Sequence, residues 1–249
     1  ISIDFISAPQ RMPSFSLSDL LTRAAVLFPA HLFLFTEEQK LTFAECEAQV
    51  VALASGMVAM GVKPGDRVLL VMENRLELPL LTLAATRAGA VFSVLTSQIT
   101  RESFERIVGQ CEPALVLLDE KRADLSSSAG SARVICVDSA LAELKTAPAS
   151  ALPKPAGGDE LAFLVFTSGS TGRPKAAMLS YGNINAMARG PSEASPTSST
   201  PVSSRRKPRT CFRTAGSSSA STTVNGAFPM IQVTNGACGF FLTRNFCAT

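Results

Sequence analysis

The sequence predicts an α/β protein: a mainly parallel sheet flanked by helices. Three observations predict it. Apolar runs of strand length recur between Val68 and Phe166. Segments with apolar residues at helical spacing separate them. Capping residues and glycines bracket those segments. Strands alternating with helices make a parallel sheet covered on both faces, which is why the strands are apolar throughout rather than alternating.

The elements follow in order. Leu21, Ala24, Ala25 and Phe28 share one helical face, and Pro29 ends that helix. Thr42-Phe43-Ala44-Glu45 has the form of a capping box. Behind it Cys46, Val50, Leu53, Met57 and Met60 fall on one stripe, and Gly61 supplies the stop. Lys63-Pro64-Gly65-Asp66 reads as a turn, with Asp66 and Arg67 serving the fold. Val68 to Met72 is a buried strand. A helix near Glu77 to Arg87 ends at Gly89, and a strand runs from Val91 to Leu95. The next helix follows Thr100 and turns Phe104, Ile107 and Val108 inward. Ala114 to Leu118 and Arg133 to Val137 are further strands. Thr146 to Gly158 is rich in Ala and Pro and reads as a connector. Leu161 to Phe166 is a buried strand, and Ser180 caps a short helix through Ile184 and Met187.

Composition limits the function classes. The chain has 249 residues, 46% hydrophobic and 17% charged, which suits a globular protein with a sizeable core. No apolar stretch approaches the ~20 residues of a membrane span. Six cysteines are scattered without Cys-x-x-Cys spacing, and His31 is the one histidine. That argues against a metal site and for reduced thiols in a cytoplasmic setting. His31 itself reads as structural or surface. The net charge of +3 is local: residues 191–223 hold five of the 23 basic residues and one of the 20 acids. The rest is near balance, so the body does not read as a nucleic-acid binder.

One stretch carries chemistry. The strand ending at Phe166 runs into Thr167-Ser168-Gly169-Ser170-Thr171-Gly172, followed by Arg173-Pro174-Lys175. Backbone N–H groups and hydroxyls crowd a small volume there. Gly169 and Gly172 remove side chains where an anion must come close, and Lys175 adds a mobile positive charge. That is the chemistry of a polyphosphate cradle. Walker A spacing, with a helix starting at the lysine, does not fit: the glycines are too close, Pro174 intervenes and Ala176 follows Lys175.

The segment "FTSGSTGRPKAAM" resembles the phosphate-binding signature of the adenylate-forming superfamily, which includes acyl- and aryl-CoA synthetases, luciferases and nonribosomal peptide adenylation domains. The glycine usual after the lysine is Ala176 here. Upstream, "LTFAECEAQVVALASGMVAMGVKPGDRVLLVMEN" is similar to the family's opening helix, turn and strand, and "LAATRAGAVFSVL" to its next helix and strand. The resemblance covers residues 15–189 and, weakly, 224–246. It implies the N-terminal part of the adenylate-forming large domain, truncated, ending at residue 189 just after the phosphate loop.

The resemblance also implies a reaction. A carboxylic acid is activated with ATP to an acyl-adenylate, and CoA then forms the thioester. Thr167, Ser168, Gly169, Ser170, Thr171, Gly172 and Lys175 would hold the β- and γ-phosphates, Lys175 with a catalytic role, and Mg2+ would bridge the phosphates. Fatty-acid or aryl-acid metabolism is the implied setting. Family members are about twice this long, and their downstream adenine, ribose and catalytic-lysine segments have no counterpart here. The 249 residues are therefore expected to be an inactive fragment.

Residues 190–223 depart from this pattern. Ser and Thr dominate, with Val202 and Phe212 the large apolar residues from 191 on. The stretch reads as a disordered or frameshifted insert, because it has too little apolar surface to order itself. Apolar text resumes at Val224 and runs to the end, 224–249, as a short family-like segment. Two other readings of the chain stay open: a non-catalytic nucleotide-binding remnant, and an interaction module using the Arg- and Ser-rich 191–223 stretch.

Overall fold

The computed structural model describes residues 15–146, 151–154, 156–168 and 174–189. The stretch 190–223, read above as a disordered or frameshifted insert, and the resumed segment 224–249 lie outside the described residues. The chain opens with α1 (Leu17–Leu27), β1 (Leu32–Phe35), β2 (Lys40–Thr42) and α2 (Phe43–Ala59). There follow β3 (Arg67–Val71), α3 (Glu77–Arg87), β4 (Val91–Leu95), α4 (Arg101–Cys111) and β5 (Leu115–Leu118). A 3-10 helix (Glu120–Ser128), β6 (Arg133–Cys136), α5 (Val137–Thr146), β7 (Leu161–Ser168), β8 (Pro174–Ser180) and α6 (Tyr181–Arg189) complete it.

Among the described residues the main sheet has six strands in the order β6-β5-β3-β4-β7-β8. All neighbours are parallel except β7 and β8, which are antiparallel. The expected mainly parallel sheet is thus present. Its strands alternate sides as the strand period requires. Val68 and Leu70 of β3, Leu115 and Leu117 of β5 and Phe92 of β4 face a core built with α1, α2, α3 and α5. Leu69, Val71, Val116 and Leu118 face the other core, with Phe104, Ile107 and Val108 of α4 and Leu125 of the 3-10 helix. Both faces are covered, so every β3 residue from Val68 to Val71 is fully buried.

Local chemistry sets the boundaries. Thr42 caps α2: its hydroxyl accepts from the Glu45 N–H at 3.3 Å, and the Glu45 carboxylate accepts from the Thr42 N–H at 2.8 Å. At the other end the Gly61 N–H donates to Val58 O and the Val62 N–H to Met57 O. That crossed pair is a Schellman stop, and Gly61 takes the left-handed φ of 98° that it requires. α3 ends the same way at Gly89. Thr100 caps α4 through the Ser103 N–H. Ser180 and Asn183 form a reciprocal cap on α6. Arg67 has the fold role expected of it, donating to the carbonyls of Cys111 at 2.6 Å and Glu112 at 2.8 Å and so closing the C-terminus of α4. His31 is exposed and meets Phe28 edge-on at 5.5 Å.

Some elements differ from the sequence reading. Val137 opens α5 rather than ending β6, because the helix packs Val137 and Leu144 onto the core. Residues 174–180, to which the sequence reading assigns no element, form strand β8. Strand β7 runs two residues past Phe166, to Ser168. The small β1–β2 hairpin, turned at Thr36–Gln39, and the 3-10 helix were not foreseen. Among the described residues no helix is long and apolar enough to cross a membrane.

Candidate functional site

The candidate site is the hairpin of β7 and β8, where the sequence places the phosphate-binding run. β7 runs parallel to β4, so it ends at the same edge of the sheet as β3, β4 and β5. That carboxyl edge is where open α/β sheets place their ligands. β7 is held by its two faces. Leu164 is buried in the α4-side core, and Phe163 stacks on Phe92 at 4.5 Å toward the other core. β8 returns antiparallel, with Phe166 opposite Ala176, Thr167 opposite Lys175 and Ser168 opposite Pro174.

The structure therefore brings Thr167, Ser168 and Lys175 together at the mouth of one hairpin. Gly169, Ser170, Thr171 and Gly172 lie outside the described residues. Thr167 and Lys175 are exposed, and the Thr167 hydroxyl donates to the Lys175 carbonyl at 3.4 Å. Among the described residues no carboxylate forms an ion pair with Lys175. An exposed lysine beside a threonine hydroxyl is chemically suited to an anion. Two further contacts reach the hairpin. Ser93 Oγ donates to Leu164 O at 2.7 Å, and Gln110 Nε2 donates to Pro174 O at 3.3 Å. Neither residue carries a sequence signal, because the contacts join positions 71 and 64 residues apart.

A second polar group of residues lies at the carboxyl ends of β3, β4 and β5. Glu73, Ser97, Gln98, Lys121 and Arg122 line a cavity of about 330 Å³. Its charges are largely matched: Lys121 pairs with Glu73 at 2.9 Å, and Arg122 donates to the carbonyls of Ser97 and Ile99. The sequence reading missed it, since three separate strands contribute.

Comparisons with known proteins agree with this architecture. The AMP-binding enzyme family matches residues 21–208. Feruloyl-CoA synthase of an Amycolatopsis species is 33% identical over 144 residues, 58% of this chain and 29% of that protein. 2-Succinylbenzoate–CoA ligase of Bacillus cereus is 30% identical over 174 residues, 69% of this chain and 34% of that one. The chain thus spans roughly a third of the length of the curated relatives it matches. Among solved structures, a fatty acyl CoA synthetase of Mycobacterium tuberculosis superposes with a TM-score of 0.64 at 24% identity, covering 70% of this chain and 36% of that one. A benzoate CoA ligase of Burkholderia xenovorans gives 0.63 at 22%, covering 70% and 36%. At those identities the structures show a shared fold. With the family match covering most of the chain, this protein belongs to the AMP-binding enzyme family.

Proposed function

We propose that the β7–β8 hairpin is the triphosphate cradle of an ATP-dependent carboxylate–CoA ligase. The observation that carries this reading is the register of Thr167 opposite Lys175 at the carboxyl edge of the sheet. It sets a hydroxyl and an exposed lysine on the two legs of one hairpin. In the reaction, a carboxylate oxygen attacks the α-phosphorus of ATP. The bond from that phosphorus to the α,β-bridging oxygen breaks, and pyrophosphate leaves with the charge. Lys175 and the loop N–H groups of Gly169 to Gly172 stabilise that charge, as preorganised donors do. The thiol of CoA then attacks the acyl carbon and AMP departs.

Among the described residues no cluster of three or more His, Cys, Asp or Glu could hold a metal ion. In this reading magnesium arrives on the phosphates of ATP, not in a protein cage. A fatty or aryl acid is the proposed substrate class, the aryl choice supported by the likeness to a feruloyl-CoA synthase. A cytoplasmic setting is part of this reading, on the scattered spacing of the six cysteines in the sequence.

Holding phosphate is one part of adenylation, and the carboxylate, adenine and ribose need groups of their own in attack geometry. The 249 residues alone are expected to bind phosphate without turnover. The test is a carboxylate panel with ATP, magnesium and CoA, read by pyrophosphate release and thioester formation. It is run on this chain and on a fusion that supplies the remainder of a relative's domain. Lys175→Ala in the active fusion should slow adenylation on the order of 10- to 1,000-fold. An unchanged rate removes Lys175 from the site.

A further inference from the structure

The β7–β8 hairpin hangs on the sheet by very little ladder. β3 and β4 register at five pairs from Arg67↔Val91 to Val71↔Leu95. β4 and β7 register at Phe92↔Phe163 alone. Beyond that pair the two strands are joined by a side chain. Ser93, 1% exposed, places its hydroxyl on the Leu164 carbonyl at 2.7 Å, three residues before Thr167. The other leg has a matching tie. Pro174 has no N–H to give to a ladder. Its carbonyl accepts from Gln110 Nε2 on α4 at 3.3 Å, one residue before Lys175. One donor therefore grips the leg that enters the loop, and one grips the leg that leaves it. Both donors come from elements fixed in the α4-side core: β4 carries Ser93 between Val91 and Leu95, and α4 carries Gln110 beside Cys111.

We propose that Ser93 and Gln110 are positioning residues for Thr167 and Lys175, on the two legs of the β7–β8 hairpin. They touch no reacting atom. They fix where Thr167 and Lys175 stand relative to the rigid sheet, and a binding constellation needs its groups held to within about 0.5 Å. The proposal rests on the reading of this hairpin as a phosphate cradle. Gln110 is exposed, so its bond contributes little to overall stability, and its loss should show at the hairpin rather than in the fold.

The test uses the full 249-residue chain and Gln110→Met, which keeps side-chain length and neutrality and removes the donor. Amide exchange over residues 174–177 is followed by mass spectrometry without nucleotide, and pyrophosphate binding by calorimetry. Exchange should quicken by about 2- to 10-fold and pyrophosphate affinity should fall by a similar factor, with the melting temperature unchanged. Ser93→Ala should loosen residues 163–167 likewise, and Ser93→Thr, which retains the hydroxyl, should restore them. Wild-type exchange at 174–177 in Gln110→Met overturns the anchor. Faster exchange with undiminished pyrophosphate binding, where Lys175→Ala loses it, overturns the positioning role. If the unaltered chain and Lys175→Ala bind pyrophosphate equally, the cradle reading fails and the positioning role falls with it. Exchange then still decides whether the anchor exists.

Discussion

Cys46 sits on the inner face of α2 with no exposed surface. Burial pushes its thiol up to about 12, and the charge of Glu45 adds to the effect. Cys111 on α4 is pushed up to about 11, again by burial, with Arg67 opposing. An unfolded thiol loses its proton near ~8.5. Between that value and the folded one the native state holds a proton that the unfolded state has released. Stability from these two residues is therefore complete below about pH 8.5 and declines as pH rises above it. The urea midpoint should fall between pH 7.5 and 9.5, a range kept below the titration of Tyr181, and the fall should be smaller in Cys46→Ala. Equal falls in both proteins would show that Cys46 does not contribute. The residue scale also shows what sequence can carry. Thr167 and Lys175 were legible because hydroxyls, glycines and a lysine crowd into one run. Gln110 was not, because an exposed glutamine on an amphipathic helix looks the same whether it meets water or the carbonyl of Pro174.

Helix α2 and helix α5 approach so closely that no side chain fits between them at one point. A Cβ added to Gly56 would stand 2.0 Å from the Leu144 carbonyl oxygen and 2.9 Å from its carbon, both backbone atoms that cannot rotate away. Gly56→Ala would raise helix propensity, worth about 1 kcal/mol in an exposed helix. Here the clash dominates, and overpacking of this kind costs about 1–3 kcal/mol. The variant should melt lower than the parent, and a higher melting temperature would mean that α5 does not dock there. The same docking explains why α5 escaped the sequence reading. Val137 completes an apolar run that looks like a strand, but it opens α5 and is buried in the core that α2 shares. β8 was missed for a related reason. Pro174, Lys175, Ala176 and Ala177 have low strand propensity and no alternation, and the strand exists because β7 offers it a ladder. Helices with their own caps were easier: the reciprocal Thr42–Glu45 bonds and the Gly61 and Gly89 stops are encoded within a few residues of each end.

At the scale of the whole molecule, the parallel sheet was legible because its strands are buried on both faces and read as continuous apolar runs. The antiparallel return at its edge was not, and that return makes the candidate site. It carries Thr167 and Lys175 to the carboxyl edge of the sheet, opposite one another, with Ser93 and Gln110 tying the two legs to rigid elements. Among the described residues β8 is the edge strand of the sheet, and Lys175, Ala176, Ala177 and Met178 are exposed along it. The central claim is that this edge hairpin is built to hold the phosphates of ATP. The most direct measurement is calorimetric titration of the 249-residue chain with pyrophosphate, beside Lys175→Ala, at two salt concentrations. The account predicts saturable binding that weakens with salt and falls at least tenfold in Lys175→Ala, while the melting temperature of the variant stays that of the parent. Equal pyrophosphate affinity in the two proteins would contradict it.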